Sequence, residues 1–313
     1  MKKALSEMEK NNFTVAIQYL ETHLESNNND ALAYFNRGYC YLMLKKSSVA
    51  MVDFNRCLVL DSSIAEAYFN RALAHQSLKN FTFSEADFLT YVEKRPNDTK
   101  GYLNLAFLYE EMTDYKNAIS AYSAYLAIQP GSVEVLKYRA LAYGTIDSVN
   151  RAINDYTRCG LLQPSDSTIW LLKGNLYYDA AMYKEAIESY NLALLNYPSQ
   201  TAALVNRADA YTASQQYENA ILDYKQLIIQ SPYNAEFYFN LGFCSLQLNL
   251  PNDAIGYFEK AIDNDYENLG QLLTLRGVAY NNLQLKMEAC ADWQKAFALG
   301  YKEAAKYQNN YCN

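Results

Sequence analysis

Glycine and proline are scarce, with 11 and 6 in 313 residues, which disfavours a chain of many β-turns and suits one rich in helix. Histidine is scarcer: His23 and His75 are the only two. The six cysteines include no CxxC pair, so a Cys/His zinc cluster or a dithiol redox centre lacks its parts. No GxxxxGK[ST] or GxGxxG stretch is present to cradle a phosphate. Basic residues are outnumbered, 27 against 34 acidic, and the net charge of -7 repels phosphate backbones and anionic lipid. No apolar run approaches the roughly 18 residues of a membrane span. The opening Met1 to Lys10 turns charged without an apolar stretch that would serve as a signal-peptide core, so a cytoplasmic location is expected unless a leader has been removed.

What is present is repetition. Pro96, Pro130, Pro164, Pro198 and Pro232 stand 34 residues apart without a slip. Numbering each repeat from the residue 31 before its proline sets the starts at Ala31, Ala65, Thr99, Val133, Ser167, Thr201, Ala235 and Gly270, the last after one inserted residue near Asp265. Position 8 is always small, as in Gly38, Ala72, Gly174 and Gly277, and position 24 is always aromatic, from Phe54 and Phe88 to Tyr190 and Trp293. Position 20 is Ala in every repeat but one, which has Ser84. Positions 4, 8 and 11 share one helical face, as do 20, 24 and 27, so each repeat encodes two amphipathic helices. Small residues on one receive rings from the other. Proline at position 32 ends the second helix, since it has no amide donor and clashes with the preceding turn.

This pattern resembles the tetratricopeptide repeat. The resemblance implies an all-α, right-handed superhelical solenoid of stacked helix-turn-helix units with a continuous concave groove. The units run 31–64, 65–98, 99–132, 133–166, 167–200, 201–234, 235–269 and 270–303. Residues 1–30 read as a truncated repeat, with Ala16 and Leu20 at positions 20 and 24, and 304–313 as a capping helix for the last repeat's exposed face.

Position 7 is Arg in five repeats (Arg37, Arg71, Arg139, Arg207, Arg276), and the same five carry Asp at position 23 (Asp53, Asp87, Asp155, Asp223, Asp292). The others have neither, reading Leu105 with Ala121, Lys173 with Ser189, and Leu241 with Tyr257. Agreement this complete arises by chance about once in fifty, and co-variation signals contact. An Arg–Asp bridge between the two helices of each such repeat is therefore expected, the alternative being shared ancestry of those five repeats.

The residues that carry chemistry elsewhere fall within this grammar. His75 occupies position 11, where most repeats place Tyr, and His23 lies far from it in the truncated repeat. Cys40, Cys57, Cys159 and Cys244 sit where a small apolar residue suffices, Cys290 is at position 21 and Cys312 belongs to the tail, so reduced thiols are expected. With no cofactor motif and no nucleophile–base pair, the chain is read as a non-enzyme that needs no cofactor.

The resemblance implies a partner-binding groove lined from the first helices at positions 2, 5, 6, 9, 12 and 13. Position 6 supplies Asn36, Asn70, Asn104, Asn206 and Asn240, whose amides suit an extended peptide backbone. Positions 5, 9 and 13 add Phe35, Tyr39, Phe69, Phe107, Asp179, Asp209 and Phe243. Carboxylates at these positions (Glu66, Glu110, Glu111, Glu134, Glu236 with the two Asp) outnumber Lys100 and Lys137, so the complementary ligand is a basic, aromatic-containing polypeptide. The family's clamp for a C-terminal carboxylate is missing: Lys137 is followed by Leu141, Leu172, Ala202 and Asn206. The expected function is thus a protein-binding scaffold that takes an extended or helical peptide segment in its concave groove. A self-associating structural protein, or a regulatory subunit of an enzyme, is the alternative.

Overall fold

The computed structural model describes residues 1–312, and among these the regular structure is entirely α-helical. It forms two compact units, Met1–Arg158 and Cys159–Asn313. The first contains α1 (Lys2–Glu9), α2 (Phe13–Ser26), α3 (Ala31–Met43), α4 (Ser47–Leu60), α5 (Ala65–Ser77), α6 (Phe81–Lys94), α7 (Thr99–Glu111), α8 (Tyr115–Ile128) and α9 (Val133–Thr145). Helix α10 (Val149–Leu162) carries the boundary. The second contains α11 (Ser167–Asp179), α12 (Tyr183–Asn196), α13 (Thr201–Ala213), α14 (Tyr217–Gln230), α15 (Ala235–Gln247), α16 (Pro251–Asp263), α17 (Leu269–Asn282), α18 (Lys286–Ala298) and α19 (Ala304–Tyr311). Within each unit, helices adjacent in sequence pack on one another.

Local chemistry sets the helix ends. Asp30, Asp98, Asp166 and Asn234, all at position 34, accept backbone N–H groups of the helix that follows, at 2.9–3.0 Å from Ala33, Lys100, Thr168 and Glu236. The turn inside each repeat closes on a residue of left-handed backbone: Lys45, Lys79, Thr113, Asp147, Ala181, Gln215, Asn249 and Gln284 all have φ between 54° and 61°. At Ala181 the motif is complete, with its N–H on Tyr178 O and that of Met182 on Tyr177 O, both at 2.8 Å. No glycine occupies any of these eight turns, although a Cβ is disfavoured there by about 1 kcal/mol or more. Ala181→Gly is therefore expected to stabilise the protein by about 0.5–1 kcal/mol in urea unfolding; a loss of stability would refute this account of the turn. The inserted residue, Asp265, has φ 59° and closes the end of α16 in the same way.

The core of each repeat is the contact between positions 8 and 24. A Cβ on Gly277 would lie 2.5 Å from Trp293 Nε1, and one on Gly242 2.7 Å from Phe258, so these rings lie directly against helix backbone. Trp293 is fully buried, and its Nε1 donates to Thr274 O at 3.0 Å.

All five Arg–Asp pairs close in the same bidentate geometry. Nε donates to Asp Oδ2 at 2.7–2.9 Å and Nη2 to Oδ1 at 2.6–2.8 Å, each across sixteen residues. The aspartates are buried, 2–7% exposed. In three pairs the remaining Nη1 reaches the preceding repeat: Arg71 donates to Asn55 Oδ1, Arg139 to Ser123 Oγ and Arg207 to Asn191 Oδ1. One guanidinium thus joins the two helices of its own repeat and the second helix of the repeat before.

One expectation fails. Cys290 and Cys312 form a disulfide, not two thiols. Their separation of 22 residues hid the pairing from a reading that looked for CxxC; α19 folds back along α18, placing Tyr307 and Tyr311 on the Trp293 ring at centroid distances of 5.3 and 5.7 Å. The other four cysteines are buried, and burial pushes the thiols of Cys40, Cys57 and Cys244 up to about 11, which makes them inert. No helix among the described residues is long and apolar enough to cross a membrane.

Candidate functional site

The first helix of each repeat offers one face to solvent, and the residues expected there are distributed over it. In the unit Met1–Arg158, Phe35 packs on Phe54 at 6.2 Å, and Tyr39 meets Phe13 edge-on at 6.3 Å. Phe69 lies against Tyr91 at 5.0 Å, with Lys100 Nζ 4.9 Å from its centroid. Phe107 contacts Tyr138 edge-on at 5.4 Å. All four rings are only partly buried, so each both packs on its neighbour and leaves surface for a ligand. Asn36 Nδ2 lies 3.9 Å from Met1 Sδ. Asn70 and Asn104 donate to Glu66 O and Lys100 O in their own helices, at 2.8 Å each; Asn70 is buried and Asn104 partly exposed.

In the unit Cys159–Asn313, three of the expected residues converge. Asp179, Asn206 and Asp209 join Asn175, Tyr178 and Tyr190 around a cavity of about 270 Å³ between α11, α12 and α13. Asn175 Oδ1 accepts two hydrogen bonds, from Tyr190 OH at 3.0 Å and Asn206 Nδ2 at 2.8 Å. Asp209 Oδ1 accepts from Tyr224 OH at 2.6 Å. Asn240 and Phe243 lie on α15, outside the pocket lining, Phe243 edge-on to Tyr217 at 6.3 Å.

The electrostatics of this pocket are one-sided. Burial raises the Asp209 carboxyl above its ordinary range, opposed by the Tyr224 hydrogen bond. The groups that feel its charge are the phenols of Tyr178, Tyr190 and Tyr224, the thiol of Cys244 and the carboxyl of Glu236, all pushed upward by burial first and by Asp209 in addition. The cations on α11 and α13 are committed elsewhere, Arg207 to Asp223 and Asn191, and Lys173 over the rings of Trp170 and Tyr177; Lys184 on α12 is exposed and does not line the pocket. His75, in the other unit, is nine-tenths buried and stacked on Phe83 at 5.3 Å, and desolvation lowers its pKa; it packs as a ring. Among the described residues, no three His, Cys, Asp or Glu side chains gather as a metal site.

Asn175 and Tyr178 were not singled out from the sequence, and Tyr190 was expected only as a core ring at position 24. A signal was there: position 9 is polar in only two repeats, Asn175 and Asp209, and in both the ring at position 24 is Tyr, whose hydroxyl bonds back fifteen residues to it.

Family models described as tetratricopeptide repeat match residues 1–63 and, as three separate copies, 99–132, 167–200 and 235–268. A further model, described as TPR repeat, matches 208–248. No curated protein matches the chain in sequence. Among solved structures, the C-terminal part of a TPR repeat-containing protein from Cytophaga hutchinsonii superposes with a TM-score of 0.65 at 16% identity, over 77% of this chain and 98% of that one. The Naa15/Naa10 complex bound to HypK-THB gives 0.62 at 14% identity, over 98% of this chain and 60% of that one. A tetratricopeptide-repeat protein from Parabacteroides merdae gives 0.50 at 18% identity, over 80% of this chain and 99% of that one. At these identities the likeness is one of fold.

Proposed function

Because the chain belongs to the tetratricopeptide-repeat family, we propose that it is a non-catalytic scaffold holding an extended, basic stretch of another polypeptide against the first helices of its repeats. The observation that carries this reading is the pocket of α11, α12 and α13, where Asp209 is held among acidic and phenolic groups while the fold supplies an arginine to every buried aspartate at position 23. A carboxylate partly withdrawn from water without a counter-charge is costly, and an incoming cation offsets that cost. Partly exposed aromatic rings at Tyr39, Phe69 and Phe107 and the partly exposed amide of Asn104 support an extended ligand with apolar side chains. Other solved repeat proteins include one described as having an unusual peptide-binding site, at 16% identity and a TM-score of 0.50; a peptide ligand is in keeping with that fold.

The test is an array of immobilised decapeptides graded in charge and aromatic content. Wild type should retain the basic, aromatic members, with retention falling as salt rises. The double variant Tyr39→Ala with Phe69→Ala, checked for unchanged helicity, should lose retention about tenfold or more. Equal capture of acidic and basic peptides would overturn the reading.

A further inference from the structure

We propose that the pocket between α11, α12 and α13 receives a single organic cation, the guanidinium or ammonium at the end of one arginine or lysine side chain of the partner; this rests on the reading that these first helices hold a polypeptide. The pocket brings two carboxylates, Asp179 and Asp209, to one cavity from the first helices of successive repeats. Beside them, Asn175 and Asn206 are linked by a 2.8 Å hydrogen bond from Asn206 Nδ2 to Asn175 Oδ1, so the Asn206 carbonyl oxygen is left to accept. Tyr178 and Tyr190 add rings whose faces attract a cation. The lining therefore combines anionic acceptors, a neutral acceptor and aromatic faces, the set that recognises a guanidinium or ammonium. A volume of about 270 Å³ admits one such head group with its stem, whereas a helix about 10 Å across does not enter.

The fold's own treatment of aspartate sharpens the contrast. Asp53, Asp87, Asp155, Asp223 and Asp292 each receive a bidentate arginine from their own repeat. Asp209 receives one phenol, Tyr224. Burial raises its carboxyl, and Glu236 and the surrounding phenols add no positive charge, so an external cation meets an undercompensated acceptor. Because that carboxyl titrates above its ordinary range, cation binding weakens as pH falls through the raised value and is fully developed above it.

The experiment uses the whole chain labelled with 15N in its asparagine side chains, titrated with N-acetyl-arginine amide, N-acetyl-lysine amide and, as a neutral match, N-acetyl-norleucine amide. The two basic probes should shift the Asn175 and Asn206 amide signals, the neutral one should not, and the larger response identifies which cation the site prefers. Asp209→Asn should weaken binding of the basic probes about thirtyfold or more while leaving the free protein at least as stable at neutral pH, since the substitution removes a charge that the fold does not neutralise. A purely structural Asp209 would show the opposite stability change. Equal shifts from the neutral probe, or undiminished response in Asp209→Asn, would overturn the proposal. Peptide-array binding that survives intact in Asp209→Asn defeats the pocket and leaves the scaffold reading standing. Probe binding by a protein that retains no peptide has the reverse meaning.

Discussion

Arg207→Leu is expected to lower the free energy of unfolding by about 3–5 kcal/mol, and adding Asp223→Ala to restore most of that loss. Asp223 is only 4% exposed. In the wild type it accepts Nε of Arg207 at 2.8 Å and Nη2 at 2.6 Å, and Nη1 reaches Asn191 Oδ1 at 2.6 Å in the repeat before. Deleting the arginine strands a carboxylate away from water and cuts the link between neighbouring repeats. Deleting both partners leaves an apolar contact, and the chain already contains such versions: Leu105 faces Ala121, and Leu241 faces Tyr257, at the same two positions, with both leucines buried. Urea unfolding of the two single variants and the double, followed by far-UV circular dichroism, measures the coupling. Mild, additive losses would show that the pairs contribute little, whatever their geometry.

Breaking the Cys290–Cys312 bridge by Cys312→Ser is expected to cost about 3 kcal/mol in the stability of the last repeat, the chain-entropy contribution for closing a loop of this length. The loss should be local. Helix α19 has eight residues, too few to hold helix on its own, and its anchorage is Tyr307 and Tyr311 against Trp293 together with the disulfide. Release of α19 uncovers Trp293, so its fluorescence should shift to the red in Cys312→Ser, in Cys290→Ser and in wild type treated with dithiothreitol, and in no variant of the other four cysteines. Trp170→Phe, made in parallel, removes the second indole, since the chain has only two tryptophans. Unchanged emission after reduction would mean that aromatic stacking alone holds the helix.

These two expectations differ in how far the sequence leads to them. The Arg–Asp pairs were legible because the relation recurs: five repeats vary together at two positions, and a spacing of sixteen residues spans one helix, its turn and the facing half of the next. Arg207's third bond, to Asn191, was written in the same register and overlooked, because it joins position 7 of one repeat to position 25 of the one before. Comparing repeats across their boundary would have revealed it: the five arginines follow Glu21, Asn55, Ser123, Asn191 and Glu259, each with an acceptor. The disulfide has no such recurrence. Cys312 lies beyond the last repeat and occurs in one copy, so no comparison between repeats bears on it.

The sequence by itself determined the repeat, its register, the two helices per unit and the contact of small residues with rings, since each follows from side-chain size and apolar spacing within a few turns of helix. It also marked Asn206, Asp209 and Asp179 as surface of the first helices. Only the tertiary structure decided which of these meet. The pocket forms because the Tyr190 and Tyr224 hydroxyls pass through the core to hold Asn175 and Asp209, and because Arg207 turns away to Asp223 and Asn191, leaving Asp209 without a cation. Which polar groups a fold leaves unpaired depends on where every neighbouring side chain points in three dimensions, and a one-dimensional period does not carry that information.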